Sequence, residues 1–314
     1  MAGSSTPGST SDDLLRCALA PSEPPALVEA ITGGGGRLVD VANAEALVWT
    51  DALDVDGLED VLSRAPHLRW IQLPFAGVDR FASVLDDDRI WTSAKGAYAR
   101  PVAEHALALG LAGLRGLPSR ARARRWGAPS GRQLMGARVT LVGGGAITEA
   151  LLRLLLPFQV DATVVRRRVA PLPGARRVVG AQELLRVLPG AALVVLTLAL
   201  TDETRGIIGD DALTLMDNDA WLVNVARGGH VVTEALVAAL EQRTIGGAAL
   251  DVTDPEPLPE GHRLWGLDNC LVTPHVANTP EMAEPLLARR VRRNVEQYRR
   301  GQPLLGVVDP VVGY

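Results

Sequence analysis

The chain has 314 residues, of which 47% are apolar, and a formal net charge of −4. This length is enough for two domains that each bury a core, and the net charge gives no reason to expect nucleic-acid binding. The longest apolar run, residues 191–200, is too short to span a bilayer. We therefore expect a protein with no nucleic-acid partner and no membrane segment.

Cysteine usage indicates a reducing compartment. Cys17 and Cys270 are the only cysteines, and neither belongs to a metal-binding or CxxC pattern. The sequence therefore predicts a cytoplasmic protein without a metal site. Residues 1–13 are mostly small and polar, and we expect them to form a disordered tail rather than a signal peptide.

The first hundred residues alternate between short apolar runs and helical or turn segments. Strands are predicted at residues 14–20, 47–49 and 70–73. Pro101 then stands where a helix start tolerates proline, and the Ala- and Leu-rich residues 102–114 predict a mostly buried helix. A polar loop with Pro and Gly follows this helix.

A second alternation of strands and helices begins near residue 138. Strands are predicted at residues 138–142, 163–165, 193–197, 221–225, 248–251 and 271–273. Helices are predicted at residues 147–156, 182–188, 211–216, 233–242 and 281–300. Strands that alternate with helices favour an α/β fold with parallel sheets covered on both faces. We place a first lobe at residues 1–99 and 278–314, and a second lobe at residues 100–277.

A glycine-rich turn lies between the first strand and the first helix of the second lobe. In "RVTLVGGGAITEALL", Gly143 and Gly145 allow a tight turn, and Ala146 and Ile147 begin the helix. This arrangement is typical of a dinucleotide pyrophosphate site, although a glycine turn without a ligand has the same pattern. Thr148 occupies the third glycine position, and its side chain is expected to push the helix slightly from the sheet.

Positive charge follows the second strand of this lobe. A dinucleotide-binding fold usually has an acid there, about twenty residues after the glycines, which binds a ribose hydroxyl. This chain has Arg166 and Arg167 instead. A guanidinium binds a 2′-phosphate through paired, charge-assisted hydrogen bonds, so NADP is the expected cofactor and NAD the alternative. The competing interpretation is a solvated strand end.

Three chemically capable side chains follow later strands of the same lobe: Arg227, Glu256 and His275. Ligands of open α/β sheets gather at the carboxyl ends of the strands, so these three groups are expected near the nicotinamide. A histidine suits proton transfer near neutral pH, a carboxylate stabilises the imidazolium, and a guanidinium binds a carboxylate. The alternative interpretations give these residues no chemistry: Arg227 would be a surface residue, Glu256 an exposed loop residue and His275 a turn residue.

Further cofactor contacts are expected where these strands end, at Thr197, Ala226 and Asp251. Two other histidines are assigned no chemistry. His105 is interpreted as a packed or interface residue of its helix, and His230 as a surface loop residue.

Several segments together resemble the D-isomer-specific 2-hydroxyacid dehydrogenase family, in particular its glyoxylate/hydroxypyruvate reductases. They are "LPFAGVDRF", "RPVAEHALAL", "LTDETRGIIG", "VNVARGGHVVTEAL", "LDVTDPEPL" and "LVTPHVANT", with the glycine turn. The resemblance implies a Rossmann-type cofactor domain, here residues 100–277, inserted in a discontinuous flavodoxin-like substrate domain. It also implies a homodimer.

The resemblance assigns a reaction and roles to individual residues. It implies interconversion of a small 2-oxoacid and its D-2-hydroxyacid by hydride transfer, with His275 as acid and base, Glu256 bonded to it and Arg227 binding the substrate. The backbone at Ala76, Gly77 and Val78 would bind the substrate carboxylate. A non-catalytic nucleotide-binding sensor or corepressor on the same scaffold is the main alternative. A methyltransferase is disfavoured, because that fold usually has an acid where Arg166 stands.

Overall fold

The computed structural model describes residues 14–310, so the predicted tail at residues 1–13 lies outside the described part. The chain divides into two compact units, one comprising Met1–Ala97 and Pro280–Tyr314, the other Tyr98–Thr279. The sequence placed the corresponding divisions after residues 99 and 277. Each unit contains one parallel sheet with helices, which confirms the predicted α/β fold with two doubly wound sheets.

The first unit contains a five-stranded parallel sheet in the order β2-β1-β3-β4-β5. This is the flavodoxin-like strand order. Its strands are β1 (Leu15–Ala20), β2 (Gly36–Leu38), β3 (Ala46–Trp49), β4 (Trp70–Gln72) and β5 (Ile90–Thr92), and its helices are α1 (Pro25–Gly33), α2 (Val55–Arg64) and α10 (Pro280–Arg299).

A buried polar network ties α10 to the sheet of the first unit. Asn294 is fully buried, and its amide nitrogen donates to Gln72 Oε1 at 3.0 Å and to the Leu305 carbonyl at 2.9 Å. Its amide oxygen accepts from the Leu305 N–H at 2.8 Å. Because a buried amide must satisfy its hydrogen bonds, this side chain fixes the position of α10 and of the segment after it.

The second unit contains a seven-stranded parallel sheet in the order β12-β11-β10-β9-β6-β7-β8. Its strands are β6 (Arg138–Val142), β7 (Asp161–Val165), β8 (Arg177–Val179), β9 (Leu193–Leu196), β10 (Trp221–Asn224), β11 (Gly247–Leu250) and β12 (Cys270–Val272). Its helices are α3 (Ala99–Leu114), α4 (Leu117–Arg122), α5 (Ala146–Leu155), α6 (Leu184–Val187), α7 (Asp210–Leu215), α8 (Thr233–Glu241) and α9 (Arg263–Gly266).

The strand order of the second unit creates a switch point between β6 and β9. From β6 the chain first proceeds to one side, through β7 and β8, and then returns to place β9 on the other side of β6. The connections on the two sides therefore leave a crevice at the carboxyl ends of β6 and β9. Ligands of open parallel sheets bind at this crevice.

The strands that the sequence did not predict share one property. β2, β5 and β8 each contain three residues, and each lies at an edge of its sheet. A three-residue edge strand is too short to display a hydrophobic period. The predicted helix at residues 182–188 is also shorter, because α6 follows a 3₁₀ turn at Ala181–Glu183. Among residues 14–310, no helix is both long and apolar enough to cross a membrane.

The Asn294 network generates a stability prediction for the first unit. Asn294→Leu removes three hydrogen bonds and leaves the Leu305 N–H and carbonyl without these partners, so we expect a loss of about 2–4 kcal/mol. Hydrogen exchange of the β1 and β3 amides measures the unfolding of this unit separately. Arg289→Ala, at an exposed position of the same helix, is the control and should change the free energy by less than about 0.5 kcal/mol. Equal protection from hydrogen exchange in the two variants would contradict the stabilising role of Asn294.

Candidate active site

The glycine turn lies at the switch point of the second unit. Gly143 follows β6 with a φ of +115°, and a Cβ there would lie 2.7 Å from Thr197 Oγ1 and 2.8 Å from the Leu198 nitrogen. Only glycine therefore fits between the ends of β6 and β9. Gly145 precedes α5 and faces open space, and Ala146 and Ile147 form the first turn of that helix. Their N–H groups have no partner within the helix, which is the arrangement that binds phosphate.

The side chain of Thr148 is accommodated within the glycine turn. Its side chain is fully buried, and its hydroxyl lies 2.9 Å from the Gly143 carbonyl and 2.7 Å from Thr197 Oγ1. Thr197 Oγ1 in turn donates to the Val142 carbonyl at 3.2 Å. The expected displacement of the helix stays a prediction. The sequence did not predict the pair of hydroxyls that connects α5 with the ends of β6 and β9.

Arg166 lies against the glycine turn. It directly follows β7, and a Cβ on Gly144 would lie 2.7 Å from Arg166 Cδ and 2.8 Å from its Nε. The absence of a side chain at Gly144 therefore leaves room for the guanidinium beside the turn. Arg166 is half-buried, whereas Arg167 and Arg168 are exposed. A cationic group next to a helix N-terminus fits a cofactor with a phosphate on its ribose.

Glu256 and His275 are in direct contact. His275 Nδ1 lies 2.7 Å from Glu256 Oε1, and both side chains remain about half exposed. The hydrogen bond with His275 holds the pKa of Glu256 below its ordinary value, against the opposing effect of partial burial, and the positive charge of Arg227 contributes in the same direction. The carboxylate is therefore ionised at neutral pH and faces the imidazole.

Arg227 follows β10 in a loop that a buried amide shapes. The side chain of Asn224 donates to the Arg227 carbonyl at 2.8 Å and accepts from the Ala226 N–H at 3.0 Å. Arg227 itself is half-buried, and its Nη1 donates to the Ala226 carbonyl at 2.8 Å. Since β10, β11 and β12 run in parallel register, Arg227, Glu256 and His275 all follow strands that end at one edge of the sheet.

Asp251 anchors the loop that carries His275. Its buried carboxylate accepts from Thr273 Oγ1 at 2.6 Å and from the N–H groups of Val276 at 2.9 Å and Ala277 at 3.0 Å. His105 Nε2 lies 3.2 Å from the same carboxylate. Burial alone raises the pKa of Asp251, but these four hydrogen bonds outweigh it, and the net pKa lies below the ordinary value. The predicted cofactor contact of Asp251 stays a prediction.

One histidine differs from its sequence-based interpretation, and a second has a partner that the sequence did not predict. His230 is fully buried, not a surface residue, because its two ring nitrogens lie 3.1 Å from the Thr204 carbonyl and 3.3 Å from the Leu198 carbonyl. His105 is packed on α3, as expected, but the sequence missed its contact with Asp251. The only available indication was its position in "AEHALAL", which does not reveal a partner about 150 residues later.

The predicted carboxylate-binding segment lies in the first unit. It follows β4, with Ala76 and Gly77 half-buried and Val78 buried. The Ala76 carbonyl accepts from Ser93 Oγ at 3.3 Å, and the Val78 carbonyl accepts from the Phe81 N–H at 2.8 Å. Within residues 14–310, no cluster of His, Cys, Asp or Glu is suited to hold a metal ion.

The sequence model of a family described as "D-isomer specific 2-hydroxyacid dehydrogenase, NAD binding domain" matches residues 106–277. The chain belongs to this family. A similar relative is the uncharacterized protein in the proB 3′ region of Corynebacterium melassecola, 34% identical over 296 residues, which cover 91% of this chain and 95% of the relative.

Solved structures of the family are similar over nearly the whole chain. The D-isomer specific 2-hydroxyacid dehydrogenase of Xanthobacter autotrophicus, in complex with NADPH and MES, is 29% identical, with a TM-score of 0.82 over 96% of this chain and 99% of that one. The NADPH-dependent glyoxylate/hydroxypyruvate reductase of Sinorhizobium meliloti, in complex with NADP and sulfate, is 25% identical, with a TM-score of 0.80 over 96% and 100%.

These comparisons confirm the predicted family and the predicted class of enzyme, an NAD(P)-dependent 2-hydroxyacid dehydrogenase. NADP as the expected cofactor, with NAD as the alternative, is likewise supported. The roles of the individual residues stay predictions.

The two threonines of the turn generate a prediction about cofactor binding. Thr148→Val keeps the shape of the side chain but removes the hydroxyl that joins Gly143 and Thr197. We expect the unit to lose about 1–2 kcal/mol of stability, since a buried hydroxyl partner is lost. We also expect weaker NADPH binding, because the turn is less well held. Thermal unfolding and NADPH fluorescence titration measure the two effects, and unchanged values for both would show that the hydroxyl pair is dispensable.

Proposed function

We propose that the protein reduces a small 2-oxoacid to the D-2-hydroxyacid with NADPH and catalyses the reverse reaction with NADP. Glyoxylate and hydroxypyruvate are the first substrates to test, since a reductase of these acids is among the similar structures. The proposal depends chiefly on one observation, the 2.7 Å contact between His275 Nδ1 and Glu256 Oε1 at the carboxyl edge of the cofactor-binding sheet.

His275 is the proposed acid and base. Because Nδ1 is engaged by Glu256, Nε2 is the nitrogen that remains to exchange a proton with substrate. In reduction, the imidazolium gives the Nε2 proton to the oxygen of the developing alkoxide. In oxidation, the neutral ring accepts the hydroxyl proton at the same nitrogen. Glu256 stabilises the imidazolium and holds the ring in one orientation.

Arg227 is the proposed substrate ligand of the second unit. A guanidinium can bind the 2-oxo oxygen and the neighbouring carboxylate together, and it opposes the negative charge that develops on the carbonyl oxygen. Backbone N–H groups at Ala76, Gly77 and Val78 are proposed to bind the substrate carboxylate as well. The nicotinamide cofactor, when bound, supplies the hydride.

We assign NADP preference to Arg166, with Arg167 in a supporting role. Arg166 lies against Gly144 at the end of β7, where an acid would repel a 2′-phosphate. Gly143, Gly145, Ala146 and Ile147 would bind the pyrophosphate. Thr197, Ala226 and Asp251 follow β9, β10 and β11 at the same edge of the sheet and are proposed to contact the rest of the cofactor.

A homodimer and a cytoplasmic location are also proposed. The homodimer that the family resemblance implies is supported by exposed apolar side chains at Leu117, Trp126 and Met135, which lie close together in the sequence. A cytoplasmic location fits the two cysteines, Cys17 and Cys270, which are both buried and free.

Removal of the imidazole tests the central assignment. His275→Ala should lower kcat for 2-oxoacid reduction by about 100- to 10,000-fold, the usual contribution of a positioned general acid. NADPH binding should persist, because the glycine turn and Arg166 are untouched. NADPH oxidation at 340 nm with a panel of 2-oxoacids measures the first quantity, and fluorescence titration the second.

Glu256→Gln is the matched control for charge. It keeps the side-chain size but removes the negative charge that stabilises the imidazolium, so we expect a kcat between those of the wild-type protein and His275→Ala. Near-normal turnover in His275→Ala would remove His275 from the mechanism. Tight NADPH binding by the wild-type protein without turnover of any 2-oxoacid would favour the non-catalytic sensor.

Charge reversal beside the glycine turn tests the cofactor assignment. Arg166→Asp, combined with Arg167→Ala, should lower the NADPH/NADH ratio of kcat/KM by about 10- to 100-fold, because a charge-assisted contact is replaced by repulsion. Arg168→Asp reverses the neighbouring exposed charge and should leave the ratio near the wild-type value. If both variants changed the NADPH/NADH ratio equally, the effect would be one of general electrostatics. If neither changed it, the arginines would have no role in cofactor preference.

A further inference from the structure

The carboxylate of Asp251 is almost fully engaged by its own protein. It is 2% exposed and lies within hydrogen-bond distance of four donors, which come from His105, Thr273, Val276 and Ala277. The donors from His105, Thr273 and Val276 reach Oδ1, and the Ala277 N–H reaches Oδ2. Since a buried charge is costly unless it is compensated, each donor contributes to keeping Asp251 ionised in place.

The geometry of this cluster determines where its protons lie. Thr273 Oγ1 lies 2.6 Å from Asp251 Oδ1, and an ionised carboxylate only accepts, so the single hydroxyl proton of Thr273 points to Asp251. His105 Nε2 lies 3.1 Å from the same Oγ1 and 3.2 Å from Oδ1, and both of these atoms then accept. His105 Nε2 must therefore carry a proton and donate it to the hydroxyl–carboxylate pair.

This cluster holds the backbone on both sides of the proposed acid and base. Thr273 precedes His275 by two residues, and Val276 and Ala277 directly follow it. The His275 N–H also bonds to the Asp251 carbonyl at 2.9 Å. His275 has a φ of +53°, a left-handed conformation that is unfavourable for a residue with a Cβ and needs support from its surroundings.

We propose that His105 is a positioning residue for the hydride-transfer reaction. Through its Nε2–H it completes the shell of Asp251 and Thr273, and this shell holds the 273–277 loop so that the His275 ring meets Glu256. The inference rests on the proposed function for its kinetic consequence, but the hold on the loop is a property of the second unit alone. Within residues 14–310, the His105 side chain contacts Thr273 and Asp251 but forms no hydrogen bond or ion pair with Glu256 or His275.

The kinetic test separates positioning from binding. His105→Phe keeps a ring but removes the donor, and kcat should fall about ten-fold, the size expected when a hydrogen bond to a charged group is lost. The KM for the 2-oxoacid and the dissociation constant of NADPH should stay near the wild-type values. His105→Gln presents an amide N–H at similar reach and should restore most of kcat.

A second readout does not need activity. Hydrogen exchange of the Val276 and Ala277 amides, which donate to Asp251, should accelerate about ten-fold in His105→Phe but not in His105→Gln. Thr140→Val is the matched control, because it removes another buried hydroxyl of the same unit, one that donates to the Val187 carbonyl at 2.9 Å. It should affect general stability without changing kcat or the exchange of this loop.

The outcomes are distinguishable. Weaker NADPH binding with unchanged kcat would overturn the positioning role and make His105 a support for the cofactor site. Equal losses in His105→Phe and His105→Gln, or faster exchange throughout the unit, would overturn it in favour of general destabilisation. If the wild-type protein reduces no 2-oxoacid, the proposed function fails, and the local exchange result alone then decides whether His105 holds the loop.

Discussion

Parallel pairing of the strands is the constraint on which this site depends. β6, β9, β10, β11 and β12 all run in one direction, so the segments that follow them emerge at one edge of one sheet. Groups that are more than a hundred residues apart, such as Gly143 and His275, are thereby brought to the same edge without any direct bond between them. Hydrogen bonds from buried polar side chains then fix the conformation of each loop. Asn224 shapes the loop of Arg227, and Asp251 shapes the loop of His275.

The charged groups at the carboxyl edge of this sheet differ in their exposure to solvent. Closer to solvent, Glu256 and His275 form a half-exposed pair. Beneath them, Asp251 is buried and kept ionised by hydrogen bonds, so its charge is fixed over the neutral pH range. A half-exposed pair is thus supported by a buried, ionised carboxylate. This division fits acid–base chemistry, which needs one ring to change its charge while its backbone stays in place.

The sequence predicted those features that depend on long periodic segments or on residues next to strand ends. The long strands and helices, the glycine turn and the proximity of Glu256 to His275 belong to this class. It missed β2, β5 and β8, three edge strands of three residues each, whose hydrophobic pattern is too short to recognise. It also missed the partners of His105 and His230, because the hydrogen-bond partners of a buried polar residue are distant in sequence and meet it only in the folded chain. Thr148 was interpreted by its size alone, although its hydroxyl decides how it fits.

Thr148 has a consequence for how dinucleotide-binding sequences are interpreted. The third glycine of the usual fingerprint is normally explained by close packing of helix and strand. In this chain a hydroxyl at that position is satisfied by a second hydroxyl at the end of the adjacent strand, Thr197. The residues at these two positions are therefore compatible as a pair. A search that scores the glycine position by itself would discard chains in which a hydroxyl some fifty residues downstream satisfies the side chain at that position. Joint inspection of both positions would retain them.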